Sequence, residues 1–261
     1  MRICYTVDLG LVGYSEAWEL QKRVVTARQA GLIDDVLLLC EHPHVITLGR
    51  NGKRENLLAS EQVLRQKNVE FFASDRGGDI TYHGPGQTLG YPILNLGAIR
   101  KDVGWYVRML EESMIRATAK FGIAAERVAG KTGIWVRNAQ AQNSVEEKLG
   151  AIGVHISRWV TSHGFAYNVA TDLRYFDLIV PCGIAGRKAT SLEKILERAV
   201  SREEGLKALV PSFGEVFGLE MREMSRTGLW ERSANSEEKS QQDSGETNSE
   251  QTPAVETLSR G

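Results

Sequence analysis

Three strand-like runs follow one another in the second half of the sequence, with no helical pattern between them. The runs are "GIWVRN" (133–138), "AIGVHISRWVT" (151–161) and "HGFAYNV" (163–169), and the Gln/Asn/Ser-rich stretch after the first is predicted to be a hairpin loop. Helical patterns occur elsewhere in the chain, but the strands and helices do not alternate strictly. This order favours an α+β fold with a mixed or antiparallel sheet and flanking helices.

The remaining elements can be predicted from periodicity and end signals. Residues 14–31 and 102–122 have helical patterns, ended by Gly31 and Gly122, while residues 35–41 and 44–49 read as strands near the core. The predicted helix caps are Ser15, Asp102, Thr190 (with Glu193) and Ser201 (with Glu204), the last two at capping-box spacing.

Composition limits the class of protein. The chain has 261 residues and a net charge of -1. It therefore lacks the excess of basic residues that would indicate binding to nucleic acid or to an anionic membrane. The N-terminus does not resemble a signal peptide, and no run of 18 apolar residues predicts a membrane span. We predict a cytoplasmic catalytic domain over residues 1–230 and a disordered polar tail over residues 231–261, because the tail is rich in Ser, Glu, Gln and Thr.

A glycine-rich segment leads directly into an apolar strand. "DRGGDITYHGPGQTLGYPILNL" (75–96) combines closely spaced glycines with Arg76, Thr81, Tyr82 and His83. It matches neither G-x-G-x-x-G nor the phosphate-loop pattern, which disfavours a nucleotide site. Adjacent glycines let the backbone approach a ligand closely, so the polar side chains around the same turn predict a pocket wall rather than a plain turn. His83 either interacts with a substrate or neighbouring polar group, or holds the turn together.

Cys182 is the cysteine most suited to chemistry. It lies between Pro181 and Gly183 at the end of an apolar run, whereas Cys4 and Cys40 are embedded in strand-like runs. The three cysteines form no CxxC pair, so neither a zinc site nor a disulfide framework is predicted. A reactive thiol needs a nearby cation to lower its pKa, and the cations available are His155, His163, Lys148, Arg187 and Lys188.

Several motifs together resemble the lipoyl(octanoyl) transferase family. The signature RGG-x-x-T-[aromatic]-H-x-x-G-Q-x-x-x-Y is "RGGDITYHGPGQTLGY" (76–91) here, followed by "KLGAIG" (148–153), "HGFAYNV" (163–169), "PCG" (181–183) and "ATSL" (189–192). The resemblance covers roughly residues 5–220, and the order and spacing of the motifs agree, with the cysteine 182 − 148 = 34 positions after the lysine.

The resemblance implies a fold like the catalytic domain of biotin and lipoate protein ligases, and a Cys/Lys pair. Cys182 would accept the octanoyl group of octanoyl-acyl carrier protein as a thioester, and Lys148 would lower the thiol pKa and act as the acid and base. A lysine of a lipoyl domain would then take the acyl group. The implied acyl-site residues are Arg76, Gly77, Gly78, Asp79, Ile80, Thr81, Tyr82, His83, Ala151, Ile152, Gly153, Gly164, Phe165 and Ala166.

The implied chemistry sets further requirements on the site and on its partners. The thioester carbonyl needs donors for its developing oxyanion, and we expect them among the backbone N–H groups of Gly77, Gly78, Cys182 and Gly183. The reaction needs no metal or other cofactor. Both substrates would be proteins, and the chain is expected to act as a monomer. The basic residues that could face an acidic carrier are Arg50, Lys53, Arg54, Arg187 and Lys188.

Three alternatives remain open at this stage. An ATP-dependent lipoate or biotin protein ligase would share the fold, but it would need a nucleotide loop such as "GRGRxG" and gives no reason for a Cys182–Lys148 pair. An amidotransferase that moves lipoyl groups between proteins would use a cysteine without the full 76–91 signature. A non-enzymatic acyl carrier or scaffold would carry Cys182 as a structural residue.

Overall fold

The computed structural model describes residues 1–137, 146–180 and 188–232. The predicted hairpin loop, the "PCG" motif with Cys182, and the sequence after residue 232 therefore lie almost wholly outside the described residues. Residues 226–232 are helical, so the described chain continues two residues past the predicted boundary at 230. The disordered tail remains a prediction.

Apart from the helix at residues 226–232, the described residues form five helices and eleven strands. The helices are α1 (Tyr14–Gln29), α2 (Glu61–Gln66), α3 (Val103–Ala119), α4 (Leu192–Leu196) and α5 (Arg202–Phe217). Short 3-10 turns occupy Arg54–Asn56, Leu96–Ala98 and Leu173–Leu178. Among the described residues, no helix has the length and apolarity needed to cross a membrane.

Two of the predicted helix caps are confirmed. The carboxylate of Asp102 accepts a hydrogen bond from the Trp105 N–H at 2.8 Å and begins α3. Ser201 and Glu204 form a reciprocal capping box at the start of α5. These side chains satisfy N–H groups that have no partner within the first turn of their helices.

The other two predicted caps are wrong. Gly13, not Ser15, precedes α1, because the helix begins early enough to bury the ring of Tyr14. Ser191, not Thr190, caps α4 by accepting from the Lys194 N–H at 3.2 Å. The Thr190 backbone already pairs with Lys148, which delays the helix by one residue.

Eight strands form one mixed sheet. Their order is β11-β1-β2-β6-β10-β9-β8-β7, and β1 is parallel to both β2 and β11 while the other pairs are antiparallel. The strands are β1 (Arg2–Leu11), β2 (Asp35–Glu41), β6 (Gln87–Ile93), β7 (Glu126–Val128), β8 (Lys131–Arg137), β9 (Glu146–Ser157), β10 (Val160–Asn168) and β11 (Leu219–Glu223). The predicted strand 151–161 thus spans the end of β9, a turn and the start of β10.

A second, three-stranded sheet has the order β4-β3-β5. It consists of β3 (Val45–Leu48), β4 (Glu70–Ala73) and β5 (Ile80–His83), with β3 parallel to β4 and antiparallel to β5. Its apolar side chains pack with Leu64 of α2 and with Leu178 and Ile179. The short β5 continues through a turn into β6, so it links the two sheets.

The core has a layer on each face of the large sheet. Leu37 and Leu39 of β2 belong to the cluster that includes α3 and α5 residues, while Val36 and Leu38 belong to the cluster of α1. Burial on both faces explains why β2 is a continuous apolar run instead of an alternating one. The α+β prediction with a mixed sheet and flanking helices is confirmed.

Candidate functional site

A cavity of about 620 Å³ lies against β9, β10 and the segment 76–81 that precedes and begins β5. Apolar side chains from several elements, among them Leu89, Val107, Trp135, Ile152 and Phe165, form much of its wall. The cavity also contacts Lys148, the predicted acid–base residue. It contacts almost all of the predicted acyl-site residues, namely Arg76, Gly77, Gly78, Asp79, Ile80, Thr81, His83, Ala151, Ile152, Gly153, Gly164, Phe165 and Ala166.

One predicted site residue that the structure describes, Tyr82, is not among those that line the cavity. Cys182 lies outside the described residues. Tyr82 is fully buried elsewhere: its hydroxyl lies 2.7 Å from His44 Nδ1, and its ring stacks on Tyr175 with centroids 5.1 Å apart. The side chain of Tyr82 therefore packs in the core of the small sheet.

Arg76 shapes the glycine-rich segment from within. Its guanidinium donates to the Thr47 hydroxyl at 3.0 Å and carbonyl at 2.6 Å, and to the Asp79 carbonyl at 2.7 Å. Burying a cation is costly unless its N–H groups have hydrogen-bond acceptors, and these oxygens supply them. Arg76 therefore fixes the curvature of the segment that covers the cavity.

The Gly77 N–H also has a fixed partner. It donates to the Val154 carbonyl at 2.9 Å and attaches the glycine-rich segment to β9. A Cβ on the neighbouring Gly153 would lie 2.8 Å from the Gly77 carbonyl oxygen, which requires glycine at this close approach. The expectation that Gly77 supplies an oxyanion donor is wrong, because its N–H is already used.

Paired glycines also define the cavity at the β10 strand. Gly164 lies opposite Gly153 in the β9–β10 register, and a Cβ on Gly164 would lie 2.1 Å from the Gly90 carbonyl oxygen. Both glycines therefore permit the close approach of another backbone, that of Gly77 at Gly153 and that of β6 at Gly164. The sequence motifs "AIG" and "HGFA" thus meet on adjacent strands.

Lys148 lies on β9 and its half-buried side chain contacts the cavity. Its Nζ is 4.8 Å from the centroid of the Trp135 ring, a position where an ammonium is attracted to the aromatic face. Its backbone N–H donates to the Lys188 carbonyl at 3.0 Å, and its carbonyl accepts from the Thr190 N–H at 2.9 Å. The chain that follows the Cys182 segment is therefore attached to β9 at Lys148.

His83 is buried and neutral. Its Nδ1 lies 2.7 Å from Gln87 Oε1, and burial, with smaller effects from His42 and Arg76, lowers its pKa to about 3. Gln87 is both a neighbouring polar group and the residue across the turn, and His83 also lines the cavity, so this contact fits both interpretations of His83.

His163 lines the cavity and pairs with Asp75, a contact that the sequence did not predict. His163 Nε2 lies 2.7 Å from Asp75 Oδ1, and the backbone N–H of His163 donates to Gln21 Oε1 at 2.8 Å. Burial lowers the pKa of His163, while the hydrogen bond and charge of Asp75 oppose that change. His163 also has a φ of 52°, an uncommon backbone conformation for a residue with a side chain.

Other lining residues come from elements far apart in the sequence. Tyr14, Val107, Trp135 and Asn168 reach the cavity from α1, α3, β8 and β10. Only the "NV" at the end of "HGFAYNV" gave a signal, as part of a motif. In the described part of the chain, no group of three or more His, Cys, Asp and Glu side chains is arranged to hold a metal ion.

The fold has solved counterparts. A bipartite lipoate protein ligase from Thermoplasma acidophilum superposes with a TM-score of 0.70 at 16% identity, covering 90% of this chain and 91% of that one. Lipoate-protein ligase A in a structure with bound ATP gives a TM-score of 0.68 at 16% identity, covering 89% and 93%. At this level of identity the likeness defines a fold class, that of the lipoate ligase catalytic domains.

The sequence comparisons are more specific. Residues 13–214 match the family model of the lipoyl protein ligase A/B catalytic domain. Proteins named octanoyltransferase from Acidobacterium capsulatum and Solibacter usitatus are 52% and 49% identical to the chain, covering 81% and 85% of it and 89% and 96% of their own lengths. The chain belongs to the lipoyl protein ligase A/B catalytic domain family and, within it, to the octanoyltransferases.

Proposed function

We propose that the chain transfers an octanoyl group from octanoyl-acyl carrier protein to a specific lysine of lipoyl domains. The acceptors would be the acyltransferase subunits of 2-oxo acid dehydrogenases and the glycine cleavage H protein, and the reaction would begin endogenous protein lipoylation. The observation that carries this proposal is the largely apolar cavity with Lys148 on its wall. The octanoyltransferase relatives support the eight-carbon acyl group as its occupant.

Cys182 would be the nucleophile. The other two cysteines of the sequence, Cys4 and Cys40, are fully buried, and burial raises the pKa of both thiols far above the usual value. A thiolate is the reactive form, so neither buried cysteine suits catalysis. Val180, two residues before Cys182, is held by the Asn56 carbonyl, and Lys188, six residues after it, is held by Lys148.

The proposed reaction has two steps with one acid–base group. Lys148 takes the thiol proton of Cys182, the thiolate attacks the thioester carbonyl, and the carrier's thiolate leaves with the proton returned by Lys148. The acceptor lysine then attacks the octanoyl-Cys182 thioester, Lys148 takes a proton from the attacking amine, and the Cys182 thiolate leaves and recovers that proton. The products are an amide and the original enzyme.

The oxyanion of each step needs nearby donors. With the Gly77 N–H engaged, the proposed donors are the N–H groups of Gly78, Cys182 and Gly183. The acidic carrier would approach the basic residues Arg50, Lys53, Arg54 and Lys188, of which Lys188 contacts the cavity. Arg187 lies outside the described residues. We expect the reaction in the cytoplasm, where a free thiol stays reduced, and a monomeric enzyme.

Intact-mass measurement after mixing with octanoyl-acyl carrier protein, without ATP, tests the proposal. We expect an octanoyl increment on the wild type and on a Cys40→Ser control, none on Cys182→Ser, and a slowed increment on Lys148→Ala. If the wild type gains no acyl group but modifies a lipoyl domain once ATP and free octanoate are added, the chain is a ligase and the proposal is wrong.

A further inference from the structure

Two polar side chains of the sequence motifs have no part in the proposed chemistry, yet they contact each other. Gln87 begins β6, Asn168 ends β10, and the two residues are direct partners in the antiparallel register. Both side chains are buried, at 1% and 4% exposure. Gln87 Nε2 donates to Asn168 Oδ1 at 2.8 Å. A buried amide pair of this kind is costly unless its remaining donors and acceptors are also satisfied.

The next partner of Asn168 is a backbone carbonyl. Asn168 Nδ2 donates to the Thr190 carbonyl at 2.9 Å. On its other side, Thr190 donates its N–H to the Lys148 carbonyl at 2.9 Å, and the nearby Lys188 carbonyl accepts from the Lys148 N–H at 3.0 Å. Thr190 is thus held between Asn168 and Lys148, and its segment is fixed to β9 at the proposed acid–base residue.

The direction of every hydrogen bond follows from that carbonyl. Because a carbonyl only accepts, Asn168 must present Nδ2 to Thr190 and Oδ1 to Gln87. Gln87 then presents Oε1 to His83, whose Nδ1 at 2.7 Å must carry the proton. The Nε2 of neutral His83 is an acceptor and faces the Thr47 hydroxyl at 3.5 Å.

We propose that Gln87 and Asn168 are positioning residues that hold residues 188–190 and the Lys148 backbone in the geometry needed for acyl transfer. This inference rests on the proposed function, since it assigns their effect to Lys148. Both residues line the cavity, and the network joins their side chains to the backbone at Thr190 and Lys148. Their contribution is to keep the segment that follows the nucleophile in one place relative to the acid–base residue.

The decisive variant is Asn168→Asp, which keeps the shape but removes the Nδ2 donor. At pH 8, where the carboxyl is ionised, we expect the kcat of Cys182 octanoylation to fall at least tenfold, with the KM for octanoyl-acyl carrier protein changed less than twofold. At pH 6 the loss should shrink, because burial at this position raises the pKa of the new carboxyl and a protonated carboxyl regains one donor. Gln87→Glu should act in the same direction, since it removes the donor to Asn168 Oδ1.

A second readout does not require turnover. The pH midpoint of Cys182 alkylation by iodoacetamide should rise in Asn168→Asp, as it should in Lys148→Ala, because the thiolate loses a positioned cation. Cys4 and Cys40 are buried and should not react. Gln21→Glu is the matched control: Gln21 is 1% exposed, lies outside the network, and uses Oε1 as an acceptor, which glutamate retains.

Each outcome decides the inference. Wild-type kcat and alkylation midpoint in folded Asn168→Asp, checked by circular dichroism, would overturn it, and so would losses no larger than those of Gln21→Glu. If Asn168→Asp does not fold, the same two measurements on Gln87→Glu decide. A wild type that forms no octanoyl-Cys182 would instead refute the proposed function.

Discussion

The glycine at position 164 is required by its neighbour's backbone. A Cβ there would lie 2.1 Å from the Gly90 carbonyl oxygen and 2.6 Å from Pro92 Cδ, so β6 and β10 would have to separate. We expect Gly164→Ala to lower the free energy of unfolding by about 3 kcal/mol, at the upper end of overpacking effects. Urea denaturation measures this change. Gly13→Ala is the control, because no atom lies within 4 Å of its added Cβ, and an equal loss in both variants would contradict the argument.

The Asp75–His163 pair makes a prediction about protonation. The hydrogen bond and charge of Asp75 raise the pKa of His163 against the larger lowering by burial. Asp75→Asn should therefore lower the pKa of His163 further, and an NMR titration of the imidazole measures it. Asp102→Asn, which removes a carboxylate that caps α3 instead, should leave that titration unchanged. An unchanged or higher His163 pKa in Asp75→Asn would contradict this role of Asp75.

The sequence predicted which residues lie close together but not which of their atoms form hydrogen bonds. The cavity contacts nearly all of the predicted site residues that the structure describes. The use of the Gly77 N–H by Val154 and the link between Asp75 and His163 could not be predicted, because each joins segments that only the sheet register brings together. A motif specifies residue types, whereas a hydrogen bond depends on tertiary distances.

Two substitutions distinguish Ser191 from Thr190 as the N-cap of helix α4. Ser191→Ala should cost about 1 kcal/mol of stability, because Ser191 caps α4. Thr190→Val should cost little, since Thr190 Oγ1 is buried without a hydrogen-bond partner among the residues that the structure describes. Thermal or urea unfolding of the two variants, with Ser201→Ala as a capping reference, tests the assignment. The reverse order of losses would restore Thr190 as the cap.

The β9–β10 hairpin shows why element boundaries were harder to predict than elements. Its turn residues Arg158 and Trp159 have φ values of 47° and 63°, a conformation usually signalled by Gly, Asn or Asp. Without that signal the sequence read as a strand continuing to residue 161. By contrast, β2 was predicted at its observed bounds, because an apolar run this short, bounded by polar residues, is typical of a buried strand.

For the whole molecule, buried neutral histidines predict acid sensitivity. Burial lowers the pKa of His42 to about 4 and that of His83 to about 3, against the ordinary value of 6.5 that the unfolded chain retains. Below pH 6.5 the unfolded chain therefore binds more protons than the folded one, and stability falls as the pH decreases towards 4. The expected loss is about 1.4 kcal/mol per pH unit for each histidine.

Urea denaturation between pH 7.5 and pH 5 measures this slope. Replacing one of the two histidines, as in His42→Gln, should reduce it by about one proton's contribution. Stability that is flat or rises between pH 6.5 and pH 5 would show that these imidazoles are protonated in the folded protein.

The proposed carrier surface also belongs to the whole molecule, since its residues come from two distant segments. Reversing charge at Arg50 or at Lys53 should raise the KM for octanoyl-acyl carrier protein several-fold at low salt while kcat stays unchanged, because rim charges mainly govern association. Steady-state kinetics at two ionic strengths measure the effect. Lys22→Glu on α1 is the control, and unchanged KM values in the rim variants would refute this surface.

The position of β1 constrains how the chain can be made. Arg2 pairs with Leu219, so 219 − 2 = 217 residues separate two partners in neighbouring parallel strands. On a ribosome, one edge of β1 stays without its partner until most of the chain has emerged, and long-range pairing of this kind forms slowly. An unpaired strand edge is a site for association with other chains. The first strand of the chain is thus among the last to gain all its partners. We expect nascent chains that stop before β11 to depend on chaperones.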